Sequence, residues 1–100
     1  MIFGEGDGAE KWLKLNEPLI RPVSDHIIFT YCYYSGSKAE AKLTFSDKHI
    51  ADIFFSKLLE FHSDLKDYGQ AINQSCPDVQ IAIDQTAIDN WQVSFTLHKA

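Results

Sequence analysis

Residues 39–68, AEAKLTFSDKHIADIFFSKLLEFHSDLKDY, decide the fold because the spacing of their apolar residues changes once, near Asp47. Up to residue 45, Ala39, Ala41, Leu43 and Phe45 alternate with polar residues, as in a strand with one buried face. After Asp47 the apolar residues follow a helical period, and they are Ile50, Ala51, Phe54, Phe55, Leu58, Leu59, Phe61 and Leu65. With Ser46 or Asp47 as N-cap and Gly69 as the C′ residue, the pattern predicts one long helix over 47–68.

Three further strands are predicted around this unit. The run His26–Tyr34 is β-branched and aromatic on both faces, and the turn at 35–38 joins it to residues 39–46 as a hairpin. Alternating residues at 79–84 and 91–98 indicate a second hairpin with a connection over 85–90.

The first 25 residues are predicted to form an N-terminal arm. Asp7 and Glu10 resemble a capping pair, which favours a short helix from about Gly8 to Asn16, with a strand over 12–15 as the alternative. Pro18 and Pro22 favour an extended connection after it, because a proline disfavours helix in the preceding residue.

The fold class expected is α+β, in two layers. A four-stranded antiparallel sheet in the order β-β-α-β-β is covered by one long helix. Residues 1–100 form a single domain, made of an arm (1–25), a hairpin (26–46), the helix (47–68) and a second hairpin (79–98). The alternation leaves open which side of the first strand faces inward. The predicted core is Ile27, Phe29, Tyr31, Leu43, Phe45, Phe54, Leu58, Phe61, Leu65, Ile81, Ile83, Val93 and Phe95.

The charge and composition of the chain argue against several classes of function. A formal net charge of −5 argues against binding nucleic acid directly or docking on an anionic membrane, since both need clustered cations. No apolar run approaches the roughly 20 residues of a membrane span, and the N-terminus lacks the regions of a secretory signal. Two cysteines without C-x-x-C spacing, Cys32 and Cys76, indicate reduced residues in a cytoplasmic protein, with a single bridge between them as the alternative.

No motif for catalysis or for a cofactor emerges. The four histidines lack metal-ligand spacing, and His62 falls on the apolar side of the helix, where a packing role is expected. A catalytic cysteine needs an electropositive setting, which this acidic chain supplies poorly. We therefore expect a protein that is not an enzyme and that holds no cofactor and no metal.

Two groups of residues suggest a binding surface. On the helix, Asp52, Glu60, Asp64 and Asp67 suit contact with lysine and arginine of a basic partner, and Asp78, Asp84 and Asp89 add charge near the second hairpin. Tyr33, Tyr34 or Trp91 would serve as aromatic anchors. A solvated acidic face, with aromatic residues packed in the core, is the alternative for both groups.

In size, charge and layout the whole chain resembles the immunity proteins that neutralise bacterial toxins, many of them nucleases. The phage-encoded inhibitors of nucleic-acid-handling complexes resemble it at the same level. This resemblance implies a small acidic inhibitor that occludes the active surface of a basic toxin or nuclease. The alternative is a non-catalytic small subunit or homodimerising domain, because the first strand presents apolar residues on both faces.

Overall fold

The computed structural model describes residues 8–35, 38–73 and 77–99 as an α+β fold with a four-stranded antiparallel sheet. In the N-terminal part, α1 spans Ala9–Leu15, α2 spans Glu17–Ile20 and a 3-10 helix spans Arg21–His26. The hairpin of β1 (Ile27–Ser35) and β2 (Lys38–Phe45) follows. Two helices, α3 (Lys48–Glu60) and α4 (His62–Asn73), then precede β3 (Pro77–Ala87) and β4 (Asn90–Lys99).

The predicted single long helix is wrong, and with it the β-β-α-β-β order. α3 ends before Phe61, where the backbone hydrogen bonds shift from the α-helical to the 3-10 pattern. The Phe61 nitrogen lies 3.2 Å from the Lys57 carbonyl oxygen and 3.0 Å from that of Leu58. Phe61 itself has φ −98° and ψ 14°, and α4 begins at the next residue. Gly69 does not end the helix. It is buried inside α4, which continues to Asn73. The N-cap prediction is confirmed, since the Asp47 carboxylate accepts from the N–H groups of His49 and Ile50.

The N-terminal segment is helical nearly throughout. The predicted helix near 8–16 is present as α1, but its expected capping residue, Asp7, lies outside the described residues. The extended connection predicted after it is wrong. Pro18 and Pro22 each stand in the first turn of a helical segment, where a missing N–H and a φ near −65° are tolerated.

The sheet has the order β1-β2-β4-β3, so that β1 and β3 form its edges. One face is covered by α1, α3 and α4, and there the alternate residues of β2 and β4 from Ala39 to Phe45 and from Val93 to Leu97 are buried. In the second hairpin, β3 continues past a register shift between Gln85 and Ala87. The turn to β4 consists of Ile88 and Asp89, so that it is shorter than the connection predicted over 85–90.

The core differs from the prediction in β1 and in the arm. Phe29 and Tyr31 were expected inside, yet they are 61% and 40% exposed. The half-buried side chains of Cys32 and Tyr34 face the helices instead. Trp12 of α1 is 1% exposed and was absent from the predicted core. His62, expected to pack, is exposed. No helix in the described part of the chain is both long and apolar enough to cross a bilayer.

Candidate binding surface

Three aromatic side chains of β1, Phe29, Tyr31 and Tyr33, stand in a row on the face of the sheet that none of the described helices covers. Their exposures of 61%, 40% and 40% are high for residues of this size. We call this row the aromatic ridge. Exposed aromatic side chains that lie together are characteristic of binding surfaces.

The geometry of β1 explains why the ridge faces outward. Tyr31 pairs with Lys42 and Tyr33 with Glu40, and these β2 residues lie on the face opposite the buried Ala41 and Leu43. A register shift between Ile27 and Phe29 resets the alternation at the start of the strand. Because successive side chains point to opposite faces, Cys32 is turned toward the helix layer and the ridge away from it.

Charged side chains flank the ridge on β2. The Lys42 ammonium lies 5.9 Å from the ring centroid of Tyr31, within reach of a cation–π interaction. Lys38 Nζ lies 3.8 Å from Glu40 Oε1, and Thr96 Oγ1 lies 3.3 Å from Glu40 Oε2. Both lysines of this face therefore already have a partner.

A shallow depression of about 360 Å³ opens beside the ridge. Its lining consists of Tyr31, Tyr33, Ser35, Lys38, Glu40 and His98. Such a broad, open feature suits contact with a protein surface better than enclosure of a small molecule, whose sites bury most of the ligand.

The far side of the same face is acidic. Asp78 and Asp84 are exposed on β3, in register with His98 and Gln92 of β4, and Asp89 lies in the turn that follows. The Asp78 carboxylate accepts a bond of 3.1 Å from Gln80 Nε2. Because β3 contains neither lysine nor arginine, these carboxylates face no cation from their own strand.

The predicted acidic residues lie on the helix layer, on the other side of the molecule from the ridge. Two of them pair with lysines of their own helix: Asp52 with Lys48 at 3.0 Å and Glu60 with Lys57 at 4.0 Å. The structure therefore does not leave these two carboxylates as free charges for a partner.

Asp64 and Asp67 line the junction between α4 and α1. Asp64 Oδ2 accepts a bond of 2.9 Å from the Trp12 indole N–H. Tyr68 closes the same junction, since its hydroxyl donates to the Gly8 carbonyl at 2.7 Å. Both carboxylates are exposed, but Asp64 is engaged in supporting the N-terminal helix through its bond to Trp12.

The three predicted aromatic anchors also lie on different faces of the sheet. Tyr33 belongs to the ridge, whereas Tyr34 and Trp91 are half-buried and pack against the core on the helix side. Sequence reasoning assigned Phe29 and Tyr31 to the core and did not single out Lys38, Lys42 or His98. The one sequence signal for the ridge is that β1 has apolar residues on both faces, and this pattern fits either face of β1 turned toward the helices.

An apolar groove of about 480 Å³ lies between the N-terminal segment and α3. It is lined by Leu15, Asn16, Pro18, Leu19, Pro22, Val23, Ile53, Phe54, Lys57 and Phe61.

The two cysteines differ in what the structure describes of them. Burial raises the pKa of the Cys32 thiol, and the nearby Glu10 carboxylate raises it further. Cys76 lies outside the described residues, and those residues contain no group of three His, Cys, Asp or Glu side chains placed to hold a metal ion.

No protein-family model, curated protein or solved structure matches this chain.

Proposed function

We propose that this protein is a non-catalytic binding protein that contacts another protein through the open face of its sheet. The aromatic ridge carries the proposal, because tyrosine and phenylalanine are enriched at the centres of protein interfaces. In β1 they are held by the sheet, so that little conformational entropy is lost when a partner packs against them.

The charge of the chain supports a basic partner. The lysines next to the ridge are occupied by Glu40 and Tyr31, whereas Asp78 and Asp84 on β3 face solvent. A partner rich in lysine and arginine would meet these carboxylates while its apolar residues pack on the ridge. With a net charge of −5, the chain would also attract such a partner from a distance.

The specific form that we propose is an acidic inhibitor that occludes the active surface of a basic protein, such as a toxin or nuclease, as immunity proteins do. The raised pKa of Cys32 argues against this thiol as a catalytic nucleophile, because the thiolate is the reactive form. Two cysteines without C-x-x-C spacing do not make a disulfide framework, and we propose the cytoplasm as the location of the protein.

A capture experiment followed by direct titration tests this proposal. The wild-type chain and a Tyr31→Ser, Tyr33→Ser double variant serve as baits in extract of the native host, and captured proteins are identified by mass spectrometry. Each candidate is then purified and titrated by calorimetry. We expect a basic protein whose affinity falls by about 30-fold or more in the double variant, as for two interface anchors.

Glu60→Lys is the matched control, since it changes the helix layer on the other side of the molecule. Loss of binding in Glu60→Lys but not in the tyrosine variant would assign the interface to the helices. A partner that binds both variants as tightly as wild type, or the absence of a basic partner, would refute the proposed function.

A further inference from the structure

The two edge strands of the sheet differ in how they are protected from pairing with another strand. β3 carries Pro77, Asp78 and Asp84, and its register shifts near Gln85. Prolines, charges and bulges of this kind are the devices by which natural sheets prevent edge-to-edge pairing. The β3 edge is therefore protected against pairing with a strand of another chain.

β1 has almost none of these devices. Its nine residues, IIFTYCYYS, contain no charge and no proline, and beyond the irregularity at Ile27–Phe29 the strand pairs regularly with β2. In the described part of the chain no strand pairs with it on the side away from β2. Alternate residues of an edge strand point their N–H and C=O groups outward, where a further strand can bond to them.

We propose that this edge is a homodimer interface, in which β1 of two copies pair antiparallel about a two-fold axis near Tyr31. The two sheets would then form one continuous eight-stranded sheet. This goes beyond the proposed function, because it concerns the assembly of the chain with itself and does not depend on the identity of a partner.

The chemistry of the strand favours a second copy as the occupant. An acidic or basic segment would find no countercharge on β1, whereas β1 itself brings no charge and so creates no like-charge contact. The two-fold axis would place Tyr31 beside its own copy and Phe29 beside Tyr33 of the second copy, all on the open face. Cross-strand aromatic pairs of this kind stabilise sheets.

The helices α1, α3 and α4 pack on the buried face of the sheet, away from the aromatic ridge, and of the described helices only α1 and the neighbouring 3-10 helix make extensive contacts with β1. The two aromatic ridges would become neighbours in the dimer, and the binding surface would double in area. An isologous interface of this type closes on itself and does not form fibres, because each copy has one such edge.

Sedimentation equilibrium tests the proposal on the full chain, at concentrations up to about 100 µM, where interfaces of micromolar affinity are populated. We expect the mass to approach twice the 11.4 kDa of one chain. Tyr31→Lys should raise the dissociation constant by about tenfold or more, because it removes an aromatic pair and places like charges opposite each other.

Ala82→Lys is the matched control. Ala82 occupies the same row of the open face as Tyr31, through Lys42 and Ser94, but on the β3 edge. It should leave the dimer intact. Equal loss of the dimer in both variants would show face-to-face packing and refute edge pairing, as would a monomer at every concentration or a Tyr31→Lys variant that dimerises like wild type.

Hydrogen exchange of the wild-type chain keeps the test independent of whether Tyr31→Lys folds. Protection of the Phe29–Tyr33 amides should rise with concentration while that of β3 stays constant. Protection that does not change in β1 while the mass doubles would place the interface elsewhere and overturn the proposal. Neither readout requires a second protein, so the proposed function can fail without affecting this result.

Discussion

Replacing Trp12 tests whether the N-terminal helix is part of the core. Its side chain is 1% exposed, and its ring makes edge contacts with Phe95 and Phe61 at centroid distances of 5.2 and 6.2 Å. Its indole N–H also donates to Asp64. Trp12→Ala removes all of these contacts, and we expect it to lower the free energy of unfolding by about 3–5 kcal/mol.

That loss is a large part of the roughly 5–15 kcal/mol that stabilises a domain of this size, and it corresponds to roughly 15–30 °C in Tm. Trp12→Phe is the milder companion. It keeps an aromatic ring but loses the bond to Asp64 and part of the buried area, so that we expect a cost of about 1–2 kcal/mol.

Urea unfolding followed by circular dichroism measures these differences without relying on tryptophan fluorescence. Leu15→Ala is the matched control, because Leu15 lies on the same helix and is 63% exposed. We expect it to change stability by no more than about 0.5 kcal/mol. If Trp12→Ala costs no more than Leu15→Ala, α1 does not close the core and the reasoning is refuted.

Two further variants test the interior. Gly69→Ala should destabilise the fold by about 1–3 kcal/mol, because a methyl group overfills a buried position and this outweighs the gain of up to about 1 kcal/mol in helix propensity. An increase in the urea midpoint would contradict the buried placement of Gly69. In a Cys76→Ser background, the pH midpoint for alkylation of Cys32 should lie higher in the folded chain than in urea, because burial raises the pKa of the thiol. The neutral thiol then contributes stability that is fully present below the pKa of the unfolded chain and is lost as the pH rises through the pKa of the folded chain. Equal alkylation midpoints in the folded and the unfolded chain would show that burial does not raise the pKa of Cys32.

The helix break at Phe61 is a feature that the apolar pattern does not predict. The spacing of apolar residues continues through Phe61, and nothing local in the sequence requires a stop. As one straight rod, residues 48–73 would be about 39 Å long, whereas a ten-residue strand spans about 33 Å. A bend lets both halves keep their apolar sides on the sheet, and that requirement exists only once the sheet has formed.

Trp12 was missed for a related reason. The short helix predicted from about Gly8 to Asn16 contains too few apolar residues to establish a helical period, so that the sequence does not indicate that Trp12 faces the core. Trp12 becomes a core residue because Phe61, Asp64 and Phe95, which lie far along the chain, surround it in the folded state.

The amino-acid sequence by itself determined the α+β class, the strands of both hairpins and the N-cap at Asp47, because apolar period and capping are local properties of the chain. Only the tertiary structure decided which side of β1 faces the helices, since apolar or aromatic residues occur on both sides of the strand, with Tyr31 and Tyr33 on one and Cys32 and Tyr34 on the other. The register with β2 settles that choice, with the aromatic ridge facing away from the helices and β1 at the edge of the sheet.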